Sequence, residues 1–321
     1  MKATRRALLG AALATPAIAA FAQDWPGRSV RIIVPYPPGG PTDIVGRVTA
    51  AGLQAELGSP FVVENRAGAG GSIGAGEASR AAPDGATFMV NASAHVIVPH
   101  LQRNMPFDSL ADFTPVTEIV KLPLVLVVND AETVRSVAEL IALARAQPGR
   151  ISYASSSIGG APHLAGEMFK LMTRTDITHI PYRGSGPALQ DLLGGTVQVM
   201  FDSLASASSH IRPGGLRALA VTTTERLPAY PELPTVAEAG VPGYEISTWY
   251  GMWGPKNLPP ALAARMQQAV ARVVAATDPK ARFAAMGANP VASTPADFAR
   301  FVGTEYARWG QLVRDADIKG E

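Results

Sequence analysis

Three stretches of this sequence combine glycine, small hydroxyl residues and proline in a pattern suited to holding an anion. They read Pro35-Tyr-Pro-Pro-Gly-Gly-Pro-Thr-Asp43, Ala154-Ser-Ser-Ser-Ile-Gly-Gly-Ala-Pro162 and Pro181-Tyr-Arg-Gly-Ser-Gly-Pro187. Each follows a β-type run (residues 30–34, 151–153 and 177–180) and precedes a helical pattern starting at or next to Pro41, Pro162 or Pro187. Proline in a first helical turn sacrifices only an N–H that has no intrahelical partner, so it marks a helix start. Glycine ahead of it lets backbone amides turn toward a crevice. That first turn offers free donors and about half a positive charge. In open α/β sheets, ligands lie beyond the carboxyl ends of the strands, where these loops fall. The chemistry on offer is capture of a small anion, most simply a carboxylate. Tight βα turns with no ligand would use the same residues.

Other chemistries find no footing. Gly68-Ala-Gly-Gly-Ser-Ile-Gly74 has Ile73 in the place of the third glycine of a dinucleotide fingerprint, and no acidic residue follows at a strand end about 20 positions on. There is no G-x-x-x-x-G-K-[ST] phosphate loop, and Gly184-Ser185-Gly186 is not a nucleophile elbow. The five histidines (95, 100, 163, 179, 210) show no metal-ligand spacing, and with no cysteine there are neither disulfides nor thiolate sites. His163, beside the serine loop, is the one histidine placed near a site, where a purely structural role fits equally. No catalytic constellation, metal site or cofactor is expected.

The elements that must position these loops alternate. Strand-like runs at 30–34, 61–63, 87–90, 124–128, 177–180, 197–201 and 216–221 are interspersed with helical patterns at 42–57, 72–82, 137–146 and 187–193. The first of these helices puts Ile44, Val45, Val48 and Leu53 on one side. The tail is helical at 262–276, 280–286 and 295–315. Such an order implies parallel sheets covered by helices on both faces. Loop-rich stretches at 108–122 and 222–234 flank a compact βα block at 123–222, which reads as a domain inserted into a host built from both ends of the chain.

The chain of 321 residues is 47% apolar and 17% charged, too apolar for disorder and long enough for two domains. Its first 22 residues read as a secretory signal: Lys2, Arg5 and Arg6, then an apolar run over 7–20, then Ala20-Phe-Ala22 before Gln23. Thr4-Arg-Arg-Ala-Leu-Leu9 also fits a twin-arginine signal, so the export route stays open. Without those residues the mature chain carries 25 basic and 26 acidic groups, a net charge of −1, and no run of basic residues for nucleic acid.

Further motifs recur in order along the chain: Val63-Glu-Asn-Arg-Ala-Gly-Ala-Gly-Gly-Ser-Ile-Gly74, Ala82-Pro-Asp-Gly85, Phe113-Thr-Pro-Val116, His163-Leu-Ala-Gly-Glu-Met-Phe169, Asp191-Leu-Leu-Gly-Gly195, Phe201-Asp202 and Leu216-Arg-Ala-Leu-Ala-Val221. With the first and third loops above they resemble the extracytoplasmic solute receptors of tripartite tricarboxylate transporters, the Bug receptors, over essentially the whole mature chain. The resemblance implies a periplasmic, monomeric, two-lobed α/β binding protein of the type II, Venus-flytrap kind, each lobe a mainly parallel sheet flanked by helices. The lobes would be 23–122 plus 223–321, and the inserted 123–222, with two crossings between them.

A small carboxylate (a di- or tricarboxylate, an aromatic acid or an acidic amino acid) would be held in the cleft and delivered to membrane permease subunits. Carried over, one wall holds Pro38, Gly39, Gly40 and Thr42. The other holds Ser155, Ser156, Ser157, Gly160 and His163, extended by Gly184, Ser185, Gly186 and Asp202. Ser93, with Asn91 and His95, follows the third strand of the first lobe. Arg183 would meet the ligand, hold Asp202 or lie at the rim, while Asp43 would serve as a helix-dipole partner. Tyr36 and Pro41 border the pocket, so ligand size is not inherited from the family. Two other classes share this scaffold: a secreted hydrolase or lyase, and a ligand-sensing partner of a membrane signalling protein.

Overall fold

The computed structural model describes residues 25–318 apart from 103, 212 and 213; the expected signal peptide, 1–22, lies outside the described residues. The first parallel unit consists of β1 (Val30–Val34), β2 (Phe61–Asn65) and β3 (Thr87–Ala92), joined through α1 (Pro41–Leu57) and α2 (Ser72–Ser79). Its core follows from sequence: Ile32, Ile33 and Val34 of β1 are fully buried, with Ile32 and Val34 sharing one core with Val45, Val48 and Leu53 of α1 and Ile33 facing the other. Ile44, expected on that same face, is instead 40% exposed in the first turn of α1.

After α3 (Ala94–Ile97) comes β4 (Phe113–Asn129), a 17-residue strand where a loop-rich stretch was expected at 108–122. Up to Pro123 it pairs antiparallel with β9 (Ser247–Pro255); from Leu124 it pairs antiparallel with β7 (Val199–Ser203) and, from Val125, with β8 (Leu216–Val221). Between these lie α4 (Val137–Ala146), β5 (Ser152–Ser155), α5 (Ala161–Thr173), β6 (Thr178–Pro181), α6 (Ser185–Leu193) and α7 (Leu204–Ile211). The chain ends with α8 (Pro260–Ala275), α9 (Thr277–Ala285), β10 (Asn289–Pro290) and α10 (Pro295–Asp315).

The strand order is β2-β1-β3-β9-β4-β7-β5-β6, with β8 and β10 on β4. The sheet is therefore mixed rather than mainly parallel. β1–β2, β1–β3, β5–β6 and β5–β7 run parallel, and every pairing of β4 and β9 is antiparallel. One strand serves both halves. Residues 223–246 pack on the second half: Tyr244 Oη donates to Ala165 O (2.8 Å), Val236 N to Val221 O (2.9 Å) and Ile246 N to Thr222 O (3.0 Å).

Candidate functional site

Each of the three loops delivers a helix whose N-cap is glycine. α1 follows Gly40 in extended conformation with Pro41 at its first position, and its first helical bond is Ile44 N to Gly40 O (3.0 Å). α5 follows extended Gly160, with Leu164 N donating to Gly160 O at 3.1 Å. α6 follows Gly184, whose φ of +116° only glycine adopts without strain. None has a side chain capping its amides. On the outer surface, Ser136 caps α4 through Glu139 N, and Thr294 caps α10 through Asp297 N. Missing caps alone do not mark a site, since α8 and α9 also start uncapped. A glycine N-cap is not unique to them either, since α2 follows β2 from uncapped Gly71; these three are the ones at the carboxyl ends of β1, β5 and β6.

The loop ahead of α1 is braced by Asp43, only 2% exposed. Its Oδ2 accepts from Gly39 N (2.9 Å) and Arg47 Nε (2.9 Å), and its Oδ1 from Asn65 Nδ2 (2.9 Å). Asn65 Nδ2 also donates to Tyr36 O at 3.0 Å. Burial pushes the Asp43 carboxyl up, but the hydrogen bonds from Arg47, Gly39 and Asn65 outweigh it and hold it below the ordinary value. Asp43 is thus a latch rather than a mere dipole partner. The Gly39 amide is committed to that latch, which leaves the first turn of α1 as the donor. Pro38 is exposed beside it, and Thr42 is buried.

The loop ahead of α5 is braced by neutral groups. Ser155, fully buried, donates its one hydroxyl hydrogen to Ser157 O (3.0 Å) and lies 2.7 Å from His179 Nε2. The His179 ring stacks on His163 at 4.0 Å, and His163 Nδ1 accepts from Gly159 N at 3.2 Å. Burial lowers both imidazoles, His163 to about 4 and His179 to about 3. His163 is itself buried. Ser156 and Ser157 turn outward, half-buried and exposed. Tyr182 N donates to Ser155 O and Gly184 N to Ser156 O, so the loops before α5 and α6 are tied together.

Asp202, at the end of β7, is buried and accepts from Ser185 Oγ (2.7 Å) and Ser206 Oγ. Burial pushes its carboxyl up to about 6 against those hydrogen bonds. Both of its oxygens are engaged in joining α6 to α7. Arg183 is exposed, pairs with no acid among the described residues, and does not hold Asp202. Gly186 lies open on α6. Asn91 and His95 belong to the core: His95 Nε2 donates to Ser109 O (3.2 Å), and its ring lies 4.7 Å from those of both Phe113 and Trp253. Buried Ser93 lies 3.5 Å from Thr248 of β9.

Residues of β9 were missed by the sequence reading. Tyr250 is buried, and burial, with the Asp202 carboxylate adding to it and Thr248 opposing, pushes its hydroxyl up. The Ser247-Thr-Trp-Tyr run, rich in aromatic and β-branched residues and closing on Pro255, carried the signal of a strand. Among the described residues no group of three or more His, Asp or Glu could hold a metal, and no helix is long and apolar enough to cross a membrane.

A two-lobed α/β fold of the periplasmic binding-protein kind, with glycine-capped helix starts at its strand ends, is the class defined here. The chain belongs to the tripartite tricarboxylate transporter family of receptors, whose model matches residues 45–318. It is 39% identical to Protein BugT of Bordetella pertussis over 317 residues, 98% of this chain and 97% of that protein. Among solved structures it is similar to R. palustris Rpa4515 with adipate, at a TM-score of 0.86 and 38% identity, covering 93% of this chain and all of the other. It is also similar to MatC from Rhodopseudomonas palustris with bound malate, at a TM-score of 0.81 and 31% identity, covering 90% of this chain and 100% of the other.

Proposed function

We propose that this chain is an exported receptor that captures a small carboxylate between its lobes and passes it to a tripartite tricarboxylate-type permease. The observation that carries this reading is the trio of glycine-capped, uncapped-by-side-chain helix starts, two from one half of the sheet and one from the other, each held from behind by buried hydrogen bonds. Free amides at helix starts suit an anion and need no cationic side chain. Two similar structures, one with adipate and one with bound malate, support a carboxylate. We assign ligand contact to Pro38, Gly40, Thr42, Ser156, Ser157, Gly160, Gly184, Ser185 and Gly186. Gly39, Ser155, His163 and Asp202 act as supports, and Ser93 and Arg183 are peripheral.

The lobes in this reading are residues 23–122 with 247–321, and 123–246, since 223–246 pack on the second half. The molecule works as a periplasmic monomer, cleaved near Ala22/Gln23. It is a receptor and not an enzyme, a reading supported by the receptor family to which the chain belongs. A thermal-shift screen across di- and tricarboxylates, aromatic acids and acidic amino acids tests it. A ligand at 100 times its Kd should stabilise the protein by about 2.7 kcal/mol. Small-angle scattering should then show a smaller radius of gyration with that ligand. No shift with any carboxylate contradicts the reading. Capture of a sensor kinase instead of permease subunits from membrane extract would redirect it to signalling.

A further inference from the structure

The chain passes between the two halves of the sheet at two places. Outbound, β4 leaves β9 and takes up β7 at Leu124; on the return, Ile246 leads into β9 at Ser247. Pro123 and Ser247 face each other as the last pair of the β4–β9 ladder. Proline has no N–H to give, so this ladder loses a donor where the halves meet.

A single side chain compensates. Thr222 follows directly on β8 and is fully buried. It exchanges two hydrogen bonds with Leu124: Thr222 N donates to Leu124 O (3.0 Å), and Thr222 Oγ1 accepts from Leu124 N (3.2 Å). It exchanges two more with Ile246, whose N donates to Thr222 O (3.0 Å) and whose O accepts from Thr222 Oγ1 (2.6 Å). Leu124 O lies 3.1 Å from the same hydroxyl. Backbone groups of Thr222 thus reach one passage each way, and the hydroxyl reaches both at once. The residue is itself firmly seated in the second half. Its neighbour Val221 pairs with Val125 of β4, donates to Pro234 O (2.9 Å) and accepts from Val236 N (2.9 Å). Both passages are therefore fastened to the second half as far as Leu124 and Ile246, which leaves Pro123 and Ser247 as the points free to bend.

We infer that Thr222 is a hinge pin: its hydroxyl ties the two passages to each other, so the halves turn about one axis through Pro123 and Ser247. The helix starts on the two walls then meet in a fixed register. Being fully buried, Thr222 acts by positioning and not by touching ligand. The inference rests on the two-lobed receptor reading and adds the residue that sets where the receptor bends.

The test measures the spread of distances between the halves in the ligand-free mature protein. The chain has no cysteine, so Gln54→Cys on α1 and Ala142→Cys on α4, both at exposed positions, supply one spin-label pair for pulsed electron paramagnetic resonance. Thr222→Val, which keeps the shape and removes the hydroxyl, should broaden the distance distribution about twofold. Thr222→Ser, which keeps the hydroxyl, should restore the native width. A threonine that only stabilised the fold would lower the melting temperature in Thr222→Val and leave the width unchanged, and that result overturns the pin. Equal broadening by both variants overturns it too. The native protein gives a second reading that stands even where Thr222→Val does not fold. The amides of Thr222, Leu124 and Ile246 open together if the pin is real, so their hydrogen-exchange protection should agree within tenfold; a wider spread contradicts it. Neither measurement uses ligand, so both are separate from the receptor reading, which fails when no carboxylate of the thermal-shift screen stabilises the native protein.

Discussion

In the first lobe, the loop that opens α1 is fixed by an ionised carboxylate: Asp43 holds Gly39, Asn65 and the half-exposed Arg47. In the second, the loop that opens α5 is fixed by neutral groups, with Ser155, His179 and His163 bonded and stacked in the interior. Both arrangements do one job, which is to aim the first-turn amides of a glycine-capped helix. The difference lies in which conditions undo them. An Asp43 held below its ordinary pKa stays ionised until the pH falls under the carboxylate range. Imidazoles buried in the neutral form become a liability much earlier.

Acid should therefore separate the two walls, and this is the largest effect expected. The folded values near 4 and 3 lie below the free value of 6.5, so the unfolded chain binds more protons across that window. Stability is full above about pH 6.5 and falls as the pH drops, by roughly 5 kcal/mol at pH 4.5 for the two together. Urea midpoints at pH 7 and pH 4.5 read the loss. Hydrogen exchange should locate it in residues 155–163 before 36–43. Simultaneous loosening of both loops breaks the comparison.

The shared strand β4 supplies a control that belongs to neither wall. Glu118 is buried, and one carboxylate oxygen has no hydrogen-bond partner. Burial, with Glu305 adding to it and Lys121 opposing, pushes its carboxyl up to about 7. Here the sign reverses, because the folded state binds the extra proton. Stability falls as the pH rises from about 4.5 to 7 and then levels off, at a cost of up to about 3 kcal/mol. Glu118→Gln should raise the urea midpoint at pH 8 and change little at pH 4.5.

Two smaller effects sharpen the loop geometry. Gly39 has φ +84° with open space around its missing Cβ, whereas Gly160 has an ordinary φ of −88° and a Cβ there would meet only the Ser157 hydroxyl, at 2.5 Å. Gly39→Ala should cost about 1 kcal/mol in thermal stability through backbone strain, and Gly160→Ala less, since the serine rotates aside. Smallest of all, Arg183→Ala should leave carboxylate affinity within about twofold by calorimetry, as expected of an exposed cation that pairs with no acid among the described residues. A collapse there would mean that a side-chain ion pair, and not the amides, anchors the ligand.

The alternation of strands and helices and the three proline-marked helix starts were legible because they rest on local signals. The first half of β4 was not, because Pro115 and Pro123 interrupt it, and only 124–128 reads as a strand. Pro115 sits at a register shift against β9, and Pro123 sits where the strand exchanges β9 for β7 and β8. Proline cannot donate to a ladder, so a strand that tolerates two of them at such places reads as loop. The braces were equally hidden. Ser155 and His179 are 24 positions apart and Asp43 and Asn65 are 22, so only the sheet brings them together. Sequence placed His163 beside the serine loop and left its role open; the hydrogen bond from Gly159 N to its Nδ1 is a contact that no local pattern announces.

The central claim is that amides of helix starts from both lobes hold one carboxylate. Titrating ¹⁵N-labelled protein with a carboxylate that stabilises it, and following the amides of Gly40, Ala161 and Ser185, tests this most directly. The account predicts large shifts at all three that saturate at the same ligand concentration. Shifts confined to one lobe, or absent from these amides while residues around Arg183 respond, would contradict it.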